Sequence, residues 1–149
     1  MAIVDGTLQP APIDSPALTV QEAIASVLVA AVAVDGVVQP EEAVRIGAVL
    51  ASSNVLRRPG NGSTHDLAER AIALIADYGL PAVLTGCAKV IPFDLRPTTF
   101  ALATDLVLAD GRVGDREKTF IDELQVVLRI DDGTARRILD VLVIKNRGA

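Results

Sequence analysis

From Val20 to Val34 the chain offers no polar face. Val20, Ala23, Ile24, Val27, Leu28, Ala31 and Val34 recur at steps of three and four, while Val29, Ala30, Val32 and Ala33 fill the remaining directions. Steps of that kind are helical, and a helix that is apolar all round must be surrounded. Its uncharged stretch, Ala23 to Val34, is 12 residues long, short of the ~20 that cross a bilayer. Other helices of the same chain are therefore expected to cover it, and no direct membrane insertion is expected.

The rest of the sequence provides those helices. Thr19 stands where it can cap the first one. Gly36 follows Asp35 as a stop, and Pro40 suits the first turn of a second helix over residues 40–53, with Val44, Ile46, Val49 and Leu50 for the core. Arg57-Arg58-Pro59-Gly60-Asn61-Gly62 is the clearest loop. A third helix, capped by Ser63 or Thr64, uses Leu67, Ala71, Leu74 and Ile75 and stops near Gly79. Pro81 to about Ile91 forms a fourth, and Pro92 and Pro97 bracket the break that follows. The fifth covers Thr98 to Ala109, the sixth Gly114 to Leu128, and the seventh runs from Asp131 or Asp132 to about Arg147. No strand alternation is present. Residues 1–18, with Pro10, Pro12 and Pro16, read as an N-terminal arm whose Ile3, Val4, Leu8 and Ile13 can lie against the domain or a neighbour. The expectation is an all-α single domain over residues 19–149, a bundle of about seven helices.

Composition narrows the function classes. At 149 residues the chain suits one self-sufficient domain. Half of it is hydrophobic, too much for disorder, and 22% is charged, too much for a membrane bundle. Nineteen acids against 14 bases leave a net charge of -5 with no Trp and no basic stripe. That excludes nucleic acid, whose phosphates demand neutralisation and whose bases favour stacking platforms. Cations and basic partners stay open. The single Cys87 precludes an internal disulfide and a multi-cysteine zinc site. The start Met-Ala-Ile-Val-Asp-Gly shows no basic segment followed by an apolar run. A cytoplasmic protein is expected.

The chain also repeats itself. At an offset of 75 positions, Val32, Asp35, Gly36, Val38, Glu42 and Ile46 lie over Val107, Asp110, Gly111, Val113, Glu117 and Ile121. Six identities in 15 residues compare with about one expected from ordinary composition. The shared skeleton is an apolar helix, Asp-Gly-x-Val-x-x-x-Glu, and a second apolar helix. It implies two helical hairpins packed about a pseudo-twofold axis.

Most of that skeleton has a structural explanation. The glycines end helices, the valines pin the turns, and Glu42 and Glu117 stand where a carboxylate reaches back to a capping amide. Asp35 and Asp110 do not fit, because an acid at a helix C-terminus meets the negative end of the dipole. Three readings stand. Capping alone explains the glutamates. A divalent cation neutralises all four acids, if the axis brings Asp35, Glu42, Asp110 and Glu117 together. Arg45, Arg112 or Lys118 pair with them instead. The motif is not an EF-hand, since Val37 and Gln39 occupy that loop's ligand positions.

Ala109-Asp110-Gly111, then x-Val-x-x-x-Glu and a new helix, resembles the tellurite-resistance protein B (TerB) family and its TerB-like relatives. Val34 to Glu42 is similar to the same signature, and the resemblance spans roughly Thr19 to Arg147. It departs at Gly114-Asp115, where the family has a proline and an acid, and in the Gly/Pro loop over residues 57–62. The resemblance implies an all-helical bundle with internal pseudo-symmetry. It also implies divalent-cation binding at Asp35, Glu42, Asp110 and Glu117, with calcium, magnesium, manganese or zinc as candidate metals. The family is associated with stress response and tellurite resistance, has no established reaction, and is thought to act in complexes near the membrane.

Other residues look chemical and have simpler explanations. His65 and Glu69 share a helix face as a metal pair would, yet a solvated helix start explains them. Cys87, among Leu84, Ala88 and Val90, reads as a buried, inert thiol. Gly60 and Gly62 lack the Lys-Ser/Thr of a phosphate loop. The expected function is a non-enzymatic, TerB-like, cation-binding interaction module with protein partners. The alternatives are a carboxylate-bridged metal hydrolase or phosphatase and a structural dimerisation module. The aliphatic surplus of the sixth and seventh helices suits a homodimer interface.

Overall fold

A computed structural model describes residues 16–33, 46–48, 64–109 and 113–147. Six α-helices are described from end to end: α1 (Val20–Val32), α2 (Thr64–Tyr78), α3 (Leu80–Val90), α4 (Arg96–Leu108), α5 (Asp115–Val127) and α6 (Asp132–Lys145). A 3-10 turn, Phe93–Leu95, precedes α4. No strand occurs among the described residues, and the chain is all-α. No described helix is long and apolar enough to cross a membrane.

Helix α1 begins with a reciprocal cap. The Glu22 N–H donates to Thr19 Oγ1 at 3.1 Å, and the Thr19 N–H donates to Glu22 Oε1 at 3.0 Å. From Ala23 to Val32 every residue is buried, as its all-round apolar sequence requires. Helices α2, α3 and α4 pack directly against it. Glu22 also pairs with Arg70 of α2 at 3.4 Å, an exposed contact worth little by itself. Pro16 is buried and Leu18 packs on the core, so the described end of the N-terminal arm lies against the domain.

A single residue separates α2 from α3. Gly79 takes φ +85, a left-handed value that glycine reaches without a Cβ penalty, and its N–H closes the end of α2 on Ile75 O at 2.9 Å. The fifth helix starts two residues earlier than the prolines suggest. Pro97 lies in the first turn of α4, where its missing N–H has no partner to lose, so it opens the helix instead of blocking it. The second helix read from the sequence, residues 40–53, lies outside the described residues except for 46–48, which are helical with Ile46 fully buried.

The joint between α5 and α6 is a Schellman turn. The Arg129 N–H donates to Val126 O at 3.1 Å and the Ile130 N–H to Gln125 O at 3.0 Å. Arg129 occupies the left-handed position, with φ 57. Asp131 then caps α6 by accepting the Thr134 N–H at 3.0 Å and the Thr134 hydroxyl at 2.7 Å. Those bonds, the hydroxyl's first, hold its carboxyl below the usual range. Helix α6 packs on α4.

Candidate functional site

Moved by the repeat offset, α1 lands on residues 95–107, one residue from the observed α4. The two helices pack against each other, and Leu28/Ala103 and Val32/Val107 are buried at matched positions. Each ends where its Asp-Gly signature begins, with Ala33 and Ala109 as C-caps. Asp35, Glu42 and Asp110 lie outside the described residues. Glu117 does not: its Oε1 accepts the Gly114 N–H at 3.0 Å, the reach-back expected of a third-position carboxylate. That bond engages one carboxylate oxygen, and the other carries no hydrogen bond among the described residues.

Arg96 has a structural role that the sequence reading missed. Buried at the start of α4, its Nε donates to Ile91 O at 2.9 Å, Nη2 to Ala88 O at 2.6 Å and Nη1 to Leu128 O at 3.5 Å. One guanidinium thus closes the C-terminal ends of both α3 and α5, where the helix dipole favours a cation. The Phe93 ring covers it, with 4.1 Å between guanidinium carbon and ring centroid. The visible signal was an arginine between two prolines, in a stretch with little other charge.

A groove lies between α3 and α5. It runs through hollows of about 300, 450 and 600 Å³ that share Leu80, Glu123, Thr85, Val126 and Val127 along their walls. Leu80 faces Asp115 and Thr119 at one end, and Thr85 and Ala88 face Val126 and Arg129 at the other. The two helices therefore run in the same direction. Asp115 and Arg116 lie at the end where both begin, Asp122 and Glu123 stand midway along α5, and Lys89, Arg96 and Arg129 lie at the end where both finish.

No family model, no curated protein and no solved structure matches this chain. Its chemistry has to be read from its own residues.

Cys87 is fully buried and donates from Sγ to Ala23 O at 3.3 Å, joining α3 to α1. Burial pushes its thiol up to about 12, so almost no thiolate exists at neutral pH and the group is inert. His65 stands in the first turn of α2, and its side chain falls outside the described part. The expected aliphatic surplus of the last two helices takes a definite form: Val126 of α5 and Val141, Val143 and Ile144 of α6 are exposed.

Proposed function

We propose that this chain is a non-enzymatic, TerB-like helical module of the tellurite-resistance or stress-response type. In this reading it is cytoplasmic, binds a divalent cation through Asp35, Glu42, Asp110 and Glu117, and docks protein partners. The observation that carries the reading is the sequence repeat, whose two leading helices, α1 and α4, pack together in the core and each stop just before an Asp-Gly pair in the sequence. Glu117, capping through one oxygen, keeps another for a ligand. A cation shared by the two turns would tie one hairpin to the other, so its binding energy would add to the stability of the fold.

Melting curves across calcium, magnesium, manganese and zinc, against a chelator, test the reading. A cation at a hundred times its dissociation constant adds about 2.7 kcal/mol, a rise of roughly 5–10 °C for a chain of this size. Asp35→Asn with Asp110→Asn should abolish that rise. An equal rise in the double variant, or none in the parent, defeats cation binding at these turns.

The interaction half of the reading draws on a separate observation. The groove between α3 and α5 and the outer face of α6 both leave large aliphatic side chains exposed, a pattern that marks association surfaces when the residues are contiguous.

A further inference from the structure

Bases are outnumbered by acids in this chain, 14 against 19, yet three of them meet around one hollow. It measures about 600 Å³ and lies where α3 and α5 finish, with Lys89, Arg96 and Arg129 in its wall and no acid among the described residues that line it. The nearest acids along the chain are Asp94, Asp131 and Asp132. None of these lines the hollow, and the last two are engaged by Thr134 and Gln125. The carbonyl ends of two helices would repel an anion here. Arg96 offsets them, since it already donates to Ala88 O, Ile91 O and Leu128 O.

Arg129 is the cation with charge to spare. Its guanidinium makes no hydrogen bond or ion pair among the described residues. Its backbone sits at φ 57 in the Schellman turn, a position that glycine fills without strain. The turn itself therefore has no need of an arginine. Strained residues cluster where a side chain is put to use, and this one borders a cavity.

The basic hollow opens into an aliphatic one of about 450 Å³, because Thr85, Val126 and Val127 line both. There Leu80, Pro81 and Leu84 of α3 oppose Val126 and Val127 of α5. From Ala88 back to Leu80 the course along α3 is about 12 Å. Asp122 and Glu123 edge this aliphatic stretch, and Asp115 and Arg116 stand beyond it. An anionic group placed among Leu80 and Pro81 would meet Asp122 and Glu123, whereas one placed at Arg129 meets only cations. A mostly apolar cleft of this size with a few placed polar groups is the usual make-up of a small-molecule site.

We propose that the groove between α3 and α5 binds a free fatty-acid-type carboxylate, with its head group at Arg129 and its unbranched tail running past Val126 and Leu84 toward Leu80. The guanidinium offers a planar fork that matches the two carboxylate oxygens, and Lys89 adds charge to the same wall. The tail takes water off aliphatic side chains that the fold leaves open, above all Val126, which is 75% exposed. This site goes beyond the cation and partner reading. It uses none of the four acids of the repeat and leaves the outer face of α6 to a protein partner.

Calorimetric titration of the full-length chain with decanoate, kept below its micelle concentration, tests the proposal. Decanoate should saturate one site. Decanol, which has the tail without the charge, and acetate, which has the charge without the tail, should each bind at least about tenfold more weakly. Arg129→Gln should weaken decanoate by about tenfold or more and leave decanol unchanged. Val126→Glu, which sets a second carboxylate in the groove, should also weaken decanoate by about tenfold. Both residues are exposed, and melting curves of the two variants check that the fold survives. No saturable binding of decanoate overturns the proposal, and so does binding that both variants leave unchanged, since the ligand would then lie elsewhere. Decanol binding as tightly as decanoate overturns the head-group assignment and marks the groove as a purely apolar contact, such as a partner helix makes. Binding to vesicles of phosphatidylcholine and phosphatidylglycerol that Arg129→Gln abolishes, without binding of free decanoate, assigns the groove to a lipid surface and overturns the free ligand. None of these outcomes touches the cation reading, which is decided by the melting curves of the Asp35 and Asp110 variants.

Discussion

Helices α1 and α6 are nearly the same length and both rich in Val, Leu and Ile, yet the structure uses them in opposite ways. Ten consecutive residues of α1 are buried, whereas α6 buries only Ala135 outright and leaves Val141, Val143 and Ile144 exposed. What differs is how many neighbours each helix has. Among the described residues, helix α1 is packed by α2, α3 and α4, whereas the main packing of α6 is on α4, with a Gln125–Asp132 hydrogen bond tying its start to α5. The inner helix is held by undirected apolar burial. The outer hairpin buries Phe120, Ile121, Leu124 and the C-cap Leu128 of α5 but only Ala135 from α6, and its ends carry directed polar bonds: the Glu117 and Asp131 caps, the Schellman turn, and Arg96 on Leu128 O. Aliphatic content therefore says little about stability until one knows what covers it.

The sharpest way to break that contrast is to truncate one side chain on each helix. Leu28 of α1 is fully buried, and Leu28→Ala should cost about 2–5 kcal/mol through lost burial and the cavity left behind. Val141→Ala on α6, measured at a concentration too low for association, should change stability by less than about 0.5 kcal/mol. Urea unfolding of the two variants gives both numbers. Comparable losses would show that α6 is covered in the isolated chain.

Next in size is the polar side of the contrast. Arg96→Leu keeps an apolar stem but leaves the Ala88, Ile91 and Leu128 carbonyls without their guanidinium donors, and should cost about 3 kcal/mol. Arg96→Lys should recover only part of this, since one ammonium lacks the planar fork that reaches three carbonyls. Hydrogen exchange would show the loss first at the ends of α3 and α5.

Cys87 tests the inner region by pH. An unfolded thiol loses its proton near the ordinary 9.0, while the folded one keeps it to about 12. Between those values the native chain binds the extra proton, so stability falls as pH rises above 9. By about pH 10.5 the loss attributable to this group should be about 2 kcal/mol. Cys87→Ala should flatten the fall by that amount when urea midpoints at neutral and alkaline pH are compared.

These contrasts also show what was legible in the sequence. The course of α1 was, because an apolar run without a polar face has one stable location, and Thr19 marks its cap. The glycine between α2 and α3 and the Asp131 cap were legible for the same reason, since local geometry there admits few residue types. The start of α4 was misplaced because proline signals both a break and a first turn. Of the four acids, only Glu117 can be located, and it performs the capping part of its reading. The groove and the Arg96 clamp were not legible, since each depends on residues 30 or more positions apart meeting in space. No periodicity within one helix encodes that.

The smallest expected effect lies at the α5–α6 joint and runs in the stabilising direction. Arg129 adopts φ 57 at a position that glycine fills without strain, and an L-residue there costs about 1 kcal/mol. The same arginine lines the basic end of the groove. Arg129→Gly should therefore raise the melting temperature by roughly 2–4 °C. An unchanged or lowered melting temperature would mean that the Arg129 side chain, which lines the hollow beside Val126 and Val127, contributes more than its backbone strain costs.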